Sequence, residues 1–118
     1  MGYRDFGDPG DVNHFDILDY TTNLKDVENK IKSSEAIGGS DVAEDVKGAL
    51  DMAYTLSHSS PLLLIYHICD APSHGCRYHR GKKDQVTDSY FFQRKEYLEN
   101  SIRKLQMIDH ARVYYTAF

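Results

Sequence analysis

Leu62-Leu-Leu-Ile-Tyr-His-Ile-Cys-Asp70, followed by Ala71-Pro-Ser-His-Gly-Cys-Arg-Tyr-His79, is the stretch around which this chain is organised. Leu62 to Cys69 is a nearly unbroken apolar run of strand length. Such a run is expected of a strand buried on both faces of a parallel sheet, because helices cover both sides and no alternation is needed. It ends on an aspartate, then a proline, then a loop rich in histidine and glycine. Ligands of open α/β sheets bind outside the carboxyl ends of the strands, so any site is expected to centre on Asp70.

Moving outward, Arg112-Val-Tyr-Tyr-Thr-Ala-Phe118 reads as a final strand. A helix from about Tyr90 to Met107 precedes it, with Leu98, Ile102 and Leu105 facing inward and Arg103 and Lys104 near its C-terminal end. Gly81 to Ser89 is a polar loop. Upstream, Asp41-Val-Ala-Glu44 has the form of a capping box that opens a helix with Val42, Val46, Ala49, Leu50 and Ala53 on its apolar stripe. Ser57 to Pro61 stops this helix. Thr22 or Asn23 caps an earlier helix, whose Leu24, Val27 and Ile31 share one face. Ile37-Gly-Gly-Ser40 separates the two helices. Phe15-Asp-Ile-Leu-Asp-Tyr20 reads as an edge strand, kept from pairing further by Asp16 and Asp19. Met1 to Gly10 passes straight into Gly/Asp/Pro loop chemistry. Strands separated by helices imply an α/β domain with a largely parallel sheet.

The 118 residues fit one domain, and 41% hydrophobic with 27% charged residues suits a globular chain with a core. A net charge of −4 and a pI near 5.8 argue against a nucleic-acid or anionic-membrane surface. No apolar run approaches the roughly 18 residues of a membrane span, and the first residues carry no signal-peptide pattern. Cys69 and Cys76 are too few for a disulfide framework, so a reducing, cytoplasmic setting is expected.

Three groups of residues bear on chemistry. Gly38-Gly-Ser-Asp41 and Asp70 place two carboxylates, with Ser40 nearby, on loops at one sheet edge; these are hard oxygen ligands suited to Mg²⁺ or Mn²⁺. The plainer reading, and the commoner one for such spacing, is that Asp41 caps its helix and Asp70 ends its strand. His67, Cys69, His74, Cys76 and His79 are ligand types that zinc accepts, and His67 and Cys69 point to the same face of their strand. His74-x-Cys76-x₂-His79 matches no standard zinc spacing, which favours structural roles for these histidines. A catalytic Cys–His pair lacks a third residue to orient it. Tyr3-Arg4-Asp5, with Asp8 and Asp11, reads as a local ion pair pinning a loop rather than a substrate clamp. Glu44 and Asp45 read as charges favoured by a helix N-terminus. No phosphate-cradling loop, nucleophile elbow or kinase signature occurs.

Gly2-Tyr-Arg-Asp5, then Gly38-Gly-Ser-Asp-Val-Ala-Glu-Asp45 with Gly48-Ala-Leu50, then His67-Ile-Cys-Asp-Ala-Pro-Ser-His-Gly75 with Tyr78-His79, resemble in order the von Willebrand factor type A domain. The resemblance is to the branch associated with alpha-type protein kinases of protists, and it extends over residues 1–118. It implies a doubly wound, mostly parallel sheet flanked by helices, with a metal-ion-dependent adhesion site at the carboxyl edge. Asp70 matches the aspartate that ends the central strand in this family. Asp41 stands where adhesion-type members carry threonine and where the kinase-associated branch commonly shows aspartate.

The D-x-S-x-S metal loop of the family is missing. The nearest string, Asp19-Tyr-Thr-Thr-Asn23, follows the edge strand instead. The family's first strand, first helix and closing helix are also unaccounted for, so the expectation is a partial domain with a degenerate Mg²⁺ site at Asp41 and Asp70. The implied function is a non-catalytic protein–protein interaction module, a targeting or regulatory part of an alpha-type kinase whose catalytic domain lies outside this chain. Its open sheet edge would pair with another chain in an oligomer or complex. The competing expectation is a small zinc- or Cys/His-dependent hydrolase built on His74, Cys76 and His79.

Overall fold

A computed structural model of the chain describes residues 1–5, 14–35, 43–56, 59–75, 78, 98–109 and 111–118. These form an α/β arrangement of three helices and two small sheets. Strands β1 (Gly2–Tyr3) and β2 (Phe15–Asp16) pair antiparallel, with Tyr3 opposite Phe15. Strands β3 (Leu62–His67) and β4 (Arg112–Ala117) pair parallel, in register from Leu62 opposite Arg112 to His67 opposite Ala117. Parallel neighbours need a crossover, and here it carries helix α3 (Leu98–Gln106). Helices α1 (Leu24–Ser33) and α2 (Val46–Thr55) precede β3. No helix among the described residues is long and apolar enough to cross a membrane.

The core lies between α2, α3 and one face of the parallel pair. Val46, Leu50 and Leu105 are buried at its centre, and Ile65, Leu98, Ile102, Val113 and Tyr115 pack around them. The stripes read for α2 and α3 therefore face inward, except for Val42, which lies outside the described residues. The apolar run at β3 behaves differently from its expected burial on both faces. Leu63, Ile65 and His67 are half-buried, whereas Leu62, Leu64 and Tyr66 are exposed. The described helices that pack on this sheet cover one face only, so a continuous apolar sequence acquires the alternating burial of a one-sided sheet.

Helix α2 begins four residues later than its capping-box reading. Its N-cap is Asp45, whose carboxylate accepts a 2.8 Å hydrogen bond from the Gly48 N–H. Glu44 is not inside the helix. It forms an isolated parallel bridge with Ser73, its N–H donating to the Pro72 carbonyl and its own carbonyl accepting from the His74 N–H. This pairing holds the chain extended at Glu44 and delays the first turn. Asp41 and Ser40 lie outside the described residues, as does the expected helical stretch 90–97.

The capping reading holds at α1, where the Asn23 side chain accepts from the Lys25 N–H at 3.0 Å. The edge strand is shorter than Phe15–Tyr20: β2 ends at Asp16. The hydrogen bond from Lys30, joined by one from Ser34, holds the Asp16 carboxyl below its ordinary range.

Two polar links lock α3. The Tyr78 hydroxyl accepts from the Leu98 N–H at 3.1 Å and donates to Glu99 Oε2 at 2.5 Å, closing the helix start. Ser101, fully buried, donates to Asp51 Oδ1 on α2 at 2.8 Å, and the buried Lys47 ammonium pairs with the same carboxylate. Partial burial pushes the Asp51 carboxyl up, but Lys47 and Ser101 outweigh it and hold the group below its usual value. In urea unfolding, Leu105→Ala is expected to cost about 2–5 kcal/mol. Leu24→Ala, at an exposed position of α1, should change stability by no more than about 0.5 kcal/mol.

Candidate functional site at the carboxyl end of β3

The inner face of the parallel pair carries polar side chains at its carboxyl end. Alternation along β3 and β4 puts His67 and Tyr115 on the same face as Ile65 and Val113. β1 brings Tyr3 over them. His67 Nε2 lies 2.7 Å from the Tyr3 hydroxyl and its Nδ1 lies 2.7 Å from the Tyr115 hydroxyl. A neutral imidazole has one donor and one acceptor nitrogen, so it satisfies two hydroxyls at once. Burial lowers the His67 pKa. Burial likewise pushes the Tyr3 phenol well above its ordinary value, reinforced by Cys69, Glu44, Tyr115 and Asp70 around it. The Tyr115 phenol is raised by burial and then by Cys69. All three groups are therefore neutral at pH 7.

Two histidine–carboxylate pairs frame this clasp. His74 Nε2 donates to Asp5 Oδ1 at 2.6 Å, with both side chains buried. His14 Nε2 donates to Asp45 Oδ2 at 2.9 Å, while the other oxygen of Asp45 caps α2. The first pair joins Asp5, two residues beyond β1, to the loop after β3; the second joins the residue before β2 to the N-cap of α2. That loop turns at Gly75, where φ of 114° favours glycine. Gly48 is required for a different reason: a Cβ there would sit 2.0 Å from Asp45 Oδ2.

The residues singled out from sequence are only partly assembled here. Asp70 is exposed just beyond the end of β3, at the carboxyl edge as expected. Its expected companions Asp41 and Ser40 lie outside the described residues, as do Cys76, His79, Asp8 and Asp11. His74 is bound to Asp5. His67 is bound on both nitrogens to tyrosines. Cys69, beyond the strand end, donates its N–H and its thiol to the Phe118 carbonyl at 3.3 and 3.7 Å. Asp5 serves His74, 69 positions away in sequence, rather than acting only within a local ion pair, and the Arg4 guanidinium donates to the Glu35 carbonyl. Among the described residues, no group of three or more histidine, cysteine, aspartate or glutamate side chains is arranged to hold a metal.

Beside the clasp, a cleft of about 200 Å³ opens along β3 on the side away from β4, with Met1, Tyr3, Val46, Ala49, Ile65 and Ile68 among its walls. The Pro61 and His67 carbonyls and the Cys69 N–H all bond toward β4 or the residue beyond it. Alternation then directs the backbone groups of Leu64, Tyr66 and Ile68 to the cleft side. Among the described residues no strand pairs with that edge. Compared with known proteins, the sequence matches no family model, no curated protein and no solved structure.

The His67 imidazole is expected to titrate below its ordinary value of 6.5 in an NMR pH series, and the Tyr3 and Tyr115 phenols above 10 by ultraviolet absorbance. A depressed histidine pKa stabilises the fold above pH 6.5, and that contribution is lost as pH falls through the folded value. Raised tyrosine values stabilise it below pH 10, a contribution lost as pH rises further. His67→Phe should remove the histidine part of the acid limb. Gly48→Ala, by displacing the Asp45 carboxylate from its cap and from His14, should lower stability by about 1–3 kcal/mol in denaturant melts.

Proposed function

We propose that this chain is a non-catalytic protein-interaction module of the von Willebrand A type that engages an extended segment of a protein partner along the open edge of β3. The observation that carries this reading is the edge itself: a row of backbone groups at Leu64, Tyr66 and Ile68 with no ladder partner among the described residues, bordered by an apolar cleft. An exposed strand edge is a template for strand addition, in which main-chain hydrogen bonds supply affinity and adjoining pockets supply specificity. The parallel β3–β4 pair with a helix in its crossover, and Asp70 just after β3, are consistent with the α/β class that the motif resemblance implies.

In this reading the Mg²⁺ position is Asp70 with Asp41, and Ser40 beside it. Two carboxylates are a small part of the six-oxygen shell such a cation takes, so the metal is held weakly and partner capture leans on the edge. The clasp holds the edge in shape without taking part in chemistry, because both nitrogens of His67 are committed to hydroxyls. The module would act in the cytoplasm as a targeting or regulatory part of an alpha-type kinase, a role that rests on the resemblance.

The test is selection of extended peptides from a displayed library, followed by titration into the isotopically labelled chain with Mg²⁺ and with chelator. Shifts should concentrate on the Leu64, Tyr66 and Ile68 amides. Tyr66→Pro removes one edge donor without touching the β3–β4 ladder and should weaken binding about tenfold, the equivalent of roughly 1.4 kcal/mol. Asp70→Ala should alter only the Mg²⁺-dependent part. Binding that leaves those amides unmoved, or that survives Tyr66→Pro unchanged, would contradict the reading.

A further inference from the structure

Among the described residues, two exposed apolar faces do not pack against each other. One is the outer face of the parallel pair, formed by Leu62, Leu64, Tyr66, Ile68, Tyr114 and Phe118. Tyr66, Ile68 and Phe118 are 67, 80 and 69% exposed, and the Tyr66 and Phe118 rings stack in the open, 6.4 Å between centroids and 17° from parallel. The other is the stripe on α1. Leu24 and Ile31 are 83 and 70% exposed, and no residue of this strongly amphipathic helix is buried. Polar contacts tether α1 to the body: Lys30 and Ser34 with Asp16, and Arg4 with the Glu35 carbonyl. A helix whose apolar side faces water and a sheet whose apolar side faces water are the two halves of a standard α/β layer.

We infer that α1 of one copy of this chain packs its Leu24–Val27–Ile31 stripe on the outer β3–β4 face of a second copy, and receives the same contact in return. The occupant follows from area. The α1 stripe offers roughly 300 Å² of exposed apolar surface, so one helix-on-sheet contact hides roughly 600 Å² in total, below what a specific interface requires. Two such contacts related by a twofold axis hide roughly 1,200 Å², the lower end of the standard range. The closed pair is therefore the arrangement that covers both faces with enough surface to persist, and it leaves no unmatched copy to extend into a polymer. The width also matches: a helix about 10 Å across spans two strands about 5 Å apart.

This pairing uses the sheet face and α1, whereas the proposed partner strand uses the β3 edge. Ile31→Glu and Tyr114→Lys act on the former and leave the edge intact, so either reading can fail alone. The test is light-scattering mass measurement of the purified chain up to the high micromolar range. The expected mass is twice the 13.5 kDa of the single chain, falling to the single-chain mass in either variant. In a background with Cys69 and Cys76 replaced by serine, mixed Ile31→Cys and Tyr114→Cys chains should form a disulfide-linked heterodimer. A single-chain mass at every concentration, an open polymer, or a Tyr114→Cys chain that cross-links to itself face to face would overturn the proposal. So would a dimer that survives Ile31→Glu. Ile31 is exposed, so that variant retains the fold and decides the question even if Tyr114→Lys does not fold.

Discussion

One imidazole holding two phenols joins the parts of this structure that the backbone leaves separate. β1 and β2 form a sheet of their own, with no ladder to β3 or β4. The Tyr3–His67–Tyr115 chain ties that small sheet to the end of the parallel pair. Once Tyr3 is in place, Asp5 lies within reach of His74, and the Arg4 N–H bonds the His14 carbonyl, setting His14 beside Asp45. The start of α2 and the loop after β3 thus depend on a contact made by the third residue of the chain. Because the three groups are neutral when buried, the clasp avoids the desolvation cost that a buried ion pair would carry.

The helical and strand patterns were legible in the sequence wherever they reflect local chemistry. Asn23 caps α1, Leu98, Ile102 and Leu105 face the core from α3, and the last strand lies where its β-branched and aromatic residues put it. The start of α2 was misread because Asp41 and Asp45 are equally good caps by local rules. The choice fell to a non-local bridge between Glu44 and Ser73. The same limit applies to the site. The position of Asp70 just past β3 was legible because the apolar run ends there. The partnerships of Tyr3 with His67 and of Asp5 with His74 span 64 and 69 positions and leave no local signal. The alternation of β4 that places Tyr115 opposite Ile65 could have suggested a hydroxyl near His67, had β3 been read as one-sided.

That one-sidedness is the main physical departure from expectation. An apolar run such as Leu62–Cys69 is costly to leave half exposed, and an amphipathic helix such as α1 gains nothing from its apolar face in water. Nothing among the described residues packs over either apolar face, and the proposed association would supply that burial. Among the described residues the edge of β3 offers main-chain hydrogen-bonding groups, whereas its outer face offers apolar side-chain area.

Strand β3 has one paired edge and one open edge among the described residues, and site-resolved amide hydrogen exchange in the unbound chain reads this residue by residue. Alternating protection is expected, with slow exchange at Leu63, Ile65, His67 and Cys69, whose N–H groups face β4, and fast exchange at Leu64, Tyr66 and Ile68. Uniformly slow exchange from Leu63 to Cys69 would mean that the edge is already covered, and the interaction surface proposed for this chain would not exist.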